Sequence, residues 1–155
     1  MDEMVARSIA KWPNVPAVFG WLELDRRGNW RIKGERIGNA ALNEFIGRNY
    51  EADAQGRWFF QNGPQRVYVN LAYTPFVFHH ESDALFDQCG RPVEARETYL
   101  DDEGSVLILG QRGVGLLDDR DLERYADRAE LLQRINRAEV AGRFGFDPNP
   151  TSSLR

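Results

Sequence analysis

The sequence predicts an α+β protein: two related units of bent antiparallel sheet plus helix, closed by a C-terminal helix. Three observations carry that expectation. Short runs with alternating apolar residues, separated by Gly, Pro and Asn-Gly breaks, recur along the chain and read as strands and hairpins. Two stretches, ending near Tyr50 and near Val140, keep helical spacing instead. Residues 24–36 (LDRRGNWRIKGER) also match residues 100–112 (LDDEGSVLILGQR) at an offset of 76. At 155 residues, 42% hydrophobic and 28% charged, the chain suffices for one core or two small lobes sharing one.

Each element has a local reason. Residues 3–11 read as a short helix behind Asp2, stopped by Pro13 and Pro16, which lack an amide donor and push their predecessors to extended geometry. Residues 18–24 and 29–33 are hairpin strands around an Asp25-to-Gly28 turn. Asn39 caps a helix in which Leu42, Phe45, Ile46 and Tyr50 share one face. A strand follows at 57–60, then an Asn62-Gly63-Pro64 turn. Val67, Val69 and Leu71 alternate with Tyr68 and Asn70, and the strand resumes at Phe76-Val77-Phe78. After a Gly90-Arg91-Pro92 turn, residues 93–100 and 105–109 flank Asp101-Asp102-Glu103-Gly104 as another hairpin. From about 118 to 140 the chain reads as one helix, with Asp118 and Asp119 at its positive end and Leu122, Tyr125, Ala129, Leu132 and Ile135 as its stripe. The expected core includes Phe45, Ile46, Val67, Val69, Leu71, Ile108 and Leu122, with Phe144 and Phe146 folding back onto it. The organisation is thus an N-terminal helix and leading loop (1–17), a first α+β repeat (18–83), a second with the C-terminal helix (84–146), and a flexible tail (147–155).

The offset match is turn chemistry. Leu24, Asp25, Gly28, Ile32, Gly34 and Arg36 recur as Leu100, Asp101, Gly104, Ile108, Gly110 and Arg112. The aspartate bonds forward to backbone amides, and the glycine takes the positive φ of a bulged hairpin. This order of elements, carried by Asp25, Gly28, Trp30, Gly34, Ile37, Leu42, Pro75-Phe76-Val77 and the hairpin around Gly104, resembles uncharacterised proteobacterial domain-of-unknown-function proteins with two α+β repeats. The resemblance covers roughly residues 18–130. It implies bent antiparallel sheets, each with a helix, and a signalling or ligand-sensing role; it carries no catalytic residues.

Composition excludes several functions. A net charge of −4 gives no pull toward nucleic acid or an anionic membrane surface. The N-terminus has no basic start or apolar run, and no window approaches a bilayer span, so the expected compartment is the cytoplasm. One cysteine, Cys89, excludes an intrachain disulfide. Eighteen of the 20 basic residues are arginine, scattered as the codon bias of a GC-rich genome would leave them.

Chemistry-bearing clusters are few. His79, His80, Glu81, Asp83, Asp87 and Cys89 are metal-ligand types, but neighbours on a strand point to opposite faces, which pairs His79 only with Glu81. Acids near Cys89 raise its pKa, and no serine has an obvious histidine partner. Gly110 to Gly115 lacks the lysine and hydroxyl ending of a phosphate loop. No catalytic residue, metal or cofactor is therefore expected. Trp58 and Arg66, an apolar plane and a positive fork beside His79 and His80, are the expected ligand groove. The leading reading is a non-catalytic domain that binds a small ligand or a protein partner. The alternatives are a hydrolase-type enzyme using His79 or His80 with nearby carboxylates, and a structural or regulatory protein that pairs through a sheet edge, for instance as a homodimer.

Overall fold

The computed structural model describes residues 13–152, so the helix expected over 3–11 lies outside the described residues. The chain divides into two units. Unit 1 takes the chain up to Asp25, then Asn29–Ala72 and the segment from Phe146; unit 2 takes Arg26–Gly28 and Tyr73–Gly145. The division falls between Ala72 and Tyr73 rather than at 83/84, because the strand that begins at Phe76 pairs within the second sheet.

Unit 1 contains β1 (Ala17–Leu24), β2 (Trp30–Ile32), β3 (Glu35–Arg36), α1 (Ala40–Arg48), β4 (Tyr50–Ala52), β5 (Trp58–Asn62) and β6 (Gln65–Leu71). Its sheet runs β3-β2-β1-β6-β5-β4. The sheet is mixed rather than wholly antiparallel, since β6 lies parallel to β1. The chain passes through α1 and the β4–β5 hairpin before β6, a crossover long enough to return it in the same direction. Asn39 caps α1 as expected, its side-chain oxygen accepting from the Leu42 amide at 2.9 Å. Leu42 and Ile46 are buried, but Phe45 is 37% exposed and meets Phe60 only edge-on at 5.3 Å. It lies one residue, about 100° of helical turn, from Ile46, at the margin of the stripe. Both faces of β6 are covered, for Tyr68 is buried as well as Val67, Val69 and Leu71. The C-terminal segment is held up to Pro148: Phe146 is buried, Asp147 bridges to Arg57, and the Leu71 amide donates to the Pro148 carbonyl at 2.8 Å. A flexible tail from 147 is therefore not what the structure shows for these residues, because backbone pairing fixes them.

Unit 2 contains β7 (Phe76–Glu81), β8 (Ala84–Phe86), β9 (Glu97–Asp101), β10 (Val106–Leu109), β11 (Val114–Leu117), a 3-10 stretch (Asp119–Leu131), β12 (Gln133–Ile135) and α2 (Arg137–Phe144). Its sheet runs β12-β9-β10-β11-β7-β8, with β11 parallel to β7 and β12 parallel to β9. The single helix expected over 118–140 is thus replaced by 3-10 structure, a strand and a separate helix. The reason is in the apolar spacing: of residues 119–131 only Tyr125 is buried and Leu131 is 84% exposed, so no continuous stripe pays out into the core. Ile135, read as part of that stripe, instead pairs with Asp101 as a strand residue. Leu122 is half-buried rather than core, and Phe144 is half-buried against Tyr99, while Ile108 is buried as expected. Among the described residues, no helix is long and apolar enough to cross a membrane.

The internal match is structural. In unit 1 the order β3-β2-β1-β6, with β6 parallel to β1, repeats in unit 2 as β11-β10-β9-β12, with β12 parallel to β9. The two hairpin turns close alike: the Asp25 amide donates to the Asn29 carbonyl, and the Asp101 amide to the Ser105 carbonyl, at 3.0 and 2.9 Å. Gly28 and Gly104 sit at φ +82° and +83°, a region that side chains with a Cβ rarely enter. The copies differ after the hairpin, where unit 1 has an α-helix and unit 2 its 3-10 stretch.

Candidate functional site

The strand alternation of β7 separates its two histidines. His80 turns to the 3-10 stretch, where its Nε2 is 2.8 Å from the Tyr125 hydroxyl and its amide donates to Asp121 at 2.9 Å. His79 takes the other face, with its Nε2 3.4 Å from Glu81 and its ring 6.1 Å from Phe86. On the His79 side lies a cavity of about 250 Å³, lined by Arg27, Gly28, Val77, His79, Gln88, Asp118 and Arg120.

Four local devices build that cavity. Gln88 lies in a turn after β8, where its side-chain oxygen accepts from the Val77 amide at 3.0 Å and its amide group donates to the Pro75 carbonyl at 3.1 Å. The Arg26–Gly28 turn lies close above it: a Cβ on Gly28 would be 3.2 Å from that of Gln88. Asp118 leaves β11 with its amide on the Phe78 carbonyl at 2.8 Å and caps the 3-10 stretch, accepting from the Arg120 amide at 2.9 Å. Its carboxylate also takes Arg120 side-on, at 2.6 Å from Nη2 and 3.0 Å from Nε. Burial works against the Asp118 charge, yet the hydrogen bonds from Arg120 outweigh it and hold the carboxyl below its usual range. Arg27 sits 3.2 Å from Asp119, both well exposed.

The lining carries two guanidinium groups, the His79 ring and one carboxylate, Asp118. A guanidinium carries five N–H donors in a rigid fork, so the single carboxylate Arg120 holds does not exhaust it. Cys89, one residue from Gln88, contributes no nucleophile: burial first, then Asp87, pushes its thiol up to about 12. Among the described residues, no group of three or more His, Cys, Asp or Glu is placed to hold a metal ion.

Trp58 and Arg66 lie on β5 and β6 of unit 1, and His79 and His80 on β7 of unit 2. Within unit 1 the pair occupies opposite faces: Trp58 packs on the Tyr50 ring at 4.9 Å, whereas the Arg66 guanidinium lies 4.3 Å over Phe59. Of the four, His79 alone lines the cavity. Arg27, Gln88 and Arg120 carried no sequence signal beyond turn and cap chemistry, since they converge from three separate turns.

Residues 1–151 match the model of the family DUF2944, described as a protein of unknown function (DUF2946). The chain belongs to that family. Two solved structures resemble this DUF2944 chain, both of DUF1285 family proteins. One, from Silicibacter pomeroyi, superposes with a TM-score of 0.56 at 15% identity, over 82% of this chain and 84% of its own. The other, from Shewanella baltica, gives 0.52 at 16% identity, over 68% and 90%. At such identity the likeness is one of fold. Among curated proteins none matches.

The His80 contact gives the DUF2944 protein a pH dependence of known sign. Burial, and then the nearby Arg124 charge, lowers the His80 pKa below its usual 6.5. A lowered pKa means the stabilising contribution is whole above the unfolded value and is lost as pH falls through the folded one. The urea midpoint should therefore drop between pH 7 and pH 5, and His80→Asn should flatten that slope. An unchanged slope in the variant would remove His80 as its source.

Proposed function

We propose that this protein is a binding module for a small anion, held in the unit 2 cavity by Arg27, Arg120 and His79. The carrying observation is the convergence of two guanidinium groups and an imidazole on a 250 Å³ space whose own carboxylate, Asp118, is already held by Arg120. Planar guanidinium forks favour carboxylate and phosphate oxygens, and charge-assisted hydrogen bonds are about twice as strong as neutral ones. Nothing in the lining offers a nucleophile paired with a base, so the chemistry supports recognition over turnover. The signalling or sensing role implied by the sequence resemblance is compatible with such a site.

A thermal-shift screen tests the reading. Phosphate- or carboxylate-bearing compounds should raise the Tm in a concentration-dependent way, because a ligand that binds only the folded state stabilises it by mass action. Arg27→Ala and Arg120→Ala should each weaken that binding by about tenfold or more, the worth of a hydrogen bond to a charged group. Stabilisation by divalent metals alone, lost in His79→Asn, would instead favour a hydrolase.

A further inference from the structure

Four separate segments of unit 2 bring polar side chains to the cavity beside β7. Arg27 comes from the Arg26–Gly28 turn, His79 from β7, Gln88 from the turn after β8, and Arg120 from the start of the 3-10 stretch. A guanidinium has two edges on which a pair of oxygens can sit, Nε with Nη2 and Nη1 with Nη2. On Arg120, Asp118 occupies the first edge, at 3.0 Å from Nε and 2.6 Å from Nη2. The second edge has no acceptor among the described residues, on a side chain that is 65% exposed. Gln88 is fixed by the Val77 amide and the Pro75 carbonyl, which use its oxygen and one of its two amide hydrogens. His79 meets Glu81 at 3.4 Å, longer than an ordinary hydrogen bond. The nearer carboxylates are matched one to one: Asp118 holds Arg120, and Asp119 meets Arg27 at 3.2 Å.

We propose that the anion is a phosphoryl group, either the head of a phosphate monoester or inorganic phosphate, rather than a carboxylate. This rests on the anion-binding reading above and narrows it to a ligand class. A carboxylate is flat and has two oxygens, and Asp118 shows what such a group takes here: one edge of one guanidinium, and the amide of the same residue. A second carboxylate, on the other edge of Arg120, would be satisfied there and leave the donors of His79 and Gln88 unanswered. A phosphoryl group carries close to two negative charges and three terminal oxygens that point in different directions. Two oxygens on the second edge of Arg120 leave the third for His79 and Gln88, which arrive from other segments. The cavity, at about 250 Å³, is smaller than the usual pocket for a whole ligand, roughly 300–1,000 Å³, so it takes the head group and leaves any ester substituent outside.

The test is a calorimetric titration of the unmodified protein, in a phosphate-free buffer at neutral pH, with inorganic phosphate, methyl phosphate, dimethyl phosphate, acetate and malonate. The better of inorganic and methyl phosphate should bind at least about tenfold more tightly than acetate, since each hydrogen bond to a charged group changes affinity by about that factor. Dimethyl phosphate, with one charge and one terminal oxygen fewer, should fall to the level of acetate. Malonate carries two charges on flat groups and so separates shape from charge; it too should bind at least about tenfold more weakly. Methyl phosphate at least as tight as inorganic phosphate marks the ester as the ligand, the reverse order marks the ion, and either order supports the proposal. Arg120→Lys keeps the charge but removes the second edge, and should lower phosphate affinity at least about tenfold, with the Tm recorded to show that the variant folds. Undiminished phosphate binding by that folded variant would overturn the assignment. So would acetate or malonate binding as tightly as phosphate, though the anion site would then stand. Absence of binding by all of these anions would overturn the anion site, and the assignment with it.

Discussion

Asp101→Ala is expected to destabilise the protein by about 3 kcal/mol, because it strands buried donors. The Asp101 side chain organises the β9–β10 turn from within: one carboxylate oxygen accepts from the Glu103 and Ser105 amides at 2.9 and 2.8 Å, and the other from the Tyr73 hydroxyl at 2.8 Å. Asp101 is 3% exposed and Tyr73 7%. Truncation therefore leaves a phenol facing a void that water reaches poorly. Asp101→Asn is the discriminating variant, since its amide oxygen still accepts from the turn and its NH2 can donate to the tyrosine oxygen. It should recover more than half of the loss. Asp25, the matching residue of unit 1, serves Asn29 and Arg31 in a half-exposed turn, so Asp25→Ala should cost less, about 1 kcal/mol. Urea titrations with an unchanged m-value measure all three. Equal losses for Asp25→Ala and Asp101→Ala would mean the turn amides, not the tyrosine, carry the effect. The same pair sets an alkaline limit: burial, and then Asp101, raises the Tyr73 pKa, so its contribution is whole below about pH 10 and is lost as pH rises through the folded value.

The turn chemistry was the most legible part of the sequence, and it was more widespread than the offset of 76 revealed. The Asp25 and Asp101 hairpins follow from a local pattern of aspartate and a positive-φ glycine. Asp53 and Asp87 build the same turn, each accepting from two amides and from the guanidinium four residues on, Arg57 at 2.8 Å and Arg91 at 3.3 Å. Aspartate, two residues, glycine, then a donor is visible in the sequence at all four places. What was not legible depends on distant partners. The parallel pairings of β1 with β6 and β9 with β12 arise from where the returning strand finds an open edge, and no local period encodes that.

The site followed the same division. The opposite facing of His79 and His80 comes from the two-residue period of a strand and was readable; so was the His79–Glu81 pair. That Arg27, Gln88 and Arg120 would stand around His79 was not, since they enter from turns 52, 9 and 41 residues away in sequence. Trp58 and Arg66 offer an apolar plane and a positive fork, expected beside the histidine strand. The intervening hairpin put them on opposite faces of one sheet.

Gly115→Ala should be nearly as damaging as the loss of Asp101, for a reason that involves no hydrogen bond. Gly115 pairs with Phe76 in the parallel β11–β7 ladder, and a Cβ there would come within 2.4–2.6 Å of three Phe78 ring atoms. The ring is 2% exposed and has no room to step aside. Overpacking of this kind costs about 3 kcal/mol at the upper end of its usual range. The backbone of Gly115 is ordinary for a strand, so the penalty is steric alone and a smaller neighbour should relieve it. Phe78→Leu removes the offending ring edge, and Gly115→Ala added to it should then cost little, a coupling of about 2 kcal/mol in the double-mutant cycle. Gly142 is the control: it sits within α2 with nothing inside 4 Å of its would-be Cβ. There the same substitution should raise stability by about 0.5–1 kcal/mol through the lost flexibility of the unfolded chain. Additive losses for Gly115→Ala and Phe78→Leu would show that the ring does not stand over Gly115, and with it would go the packing that carries β7, and hence His79, to the cavity wall.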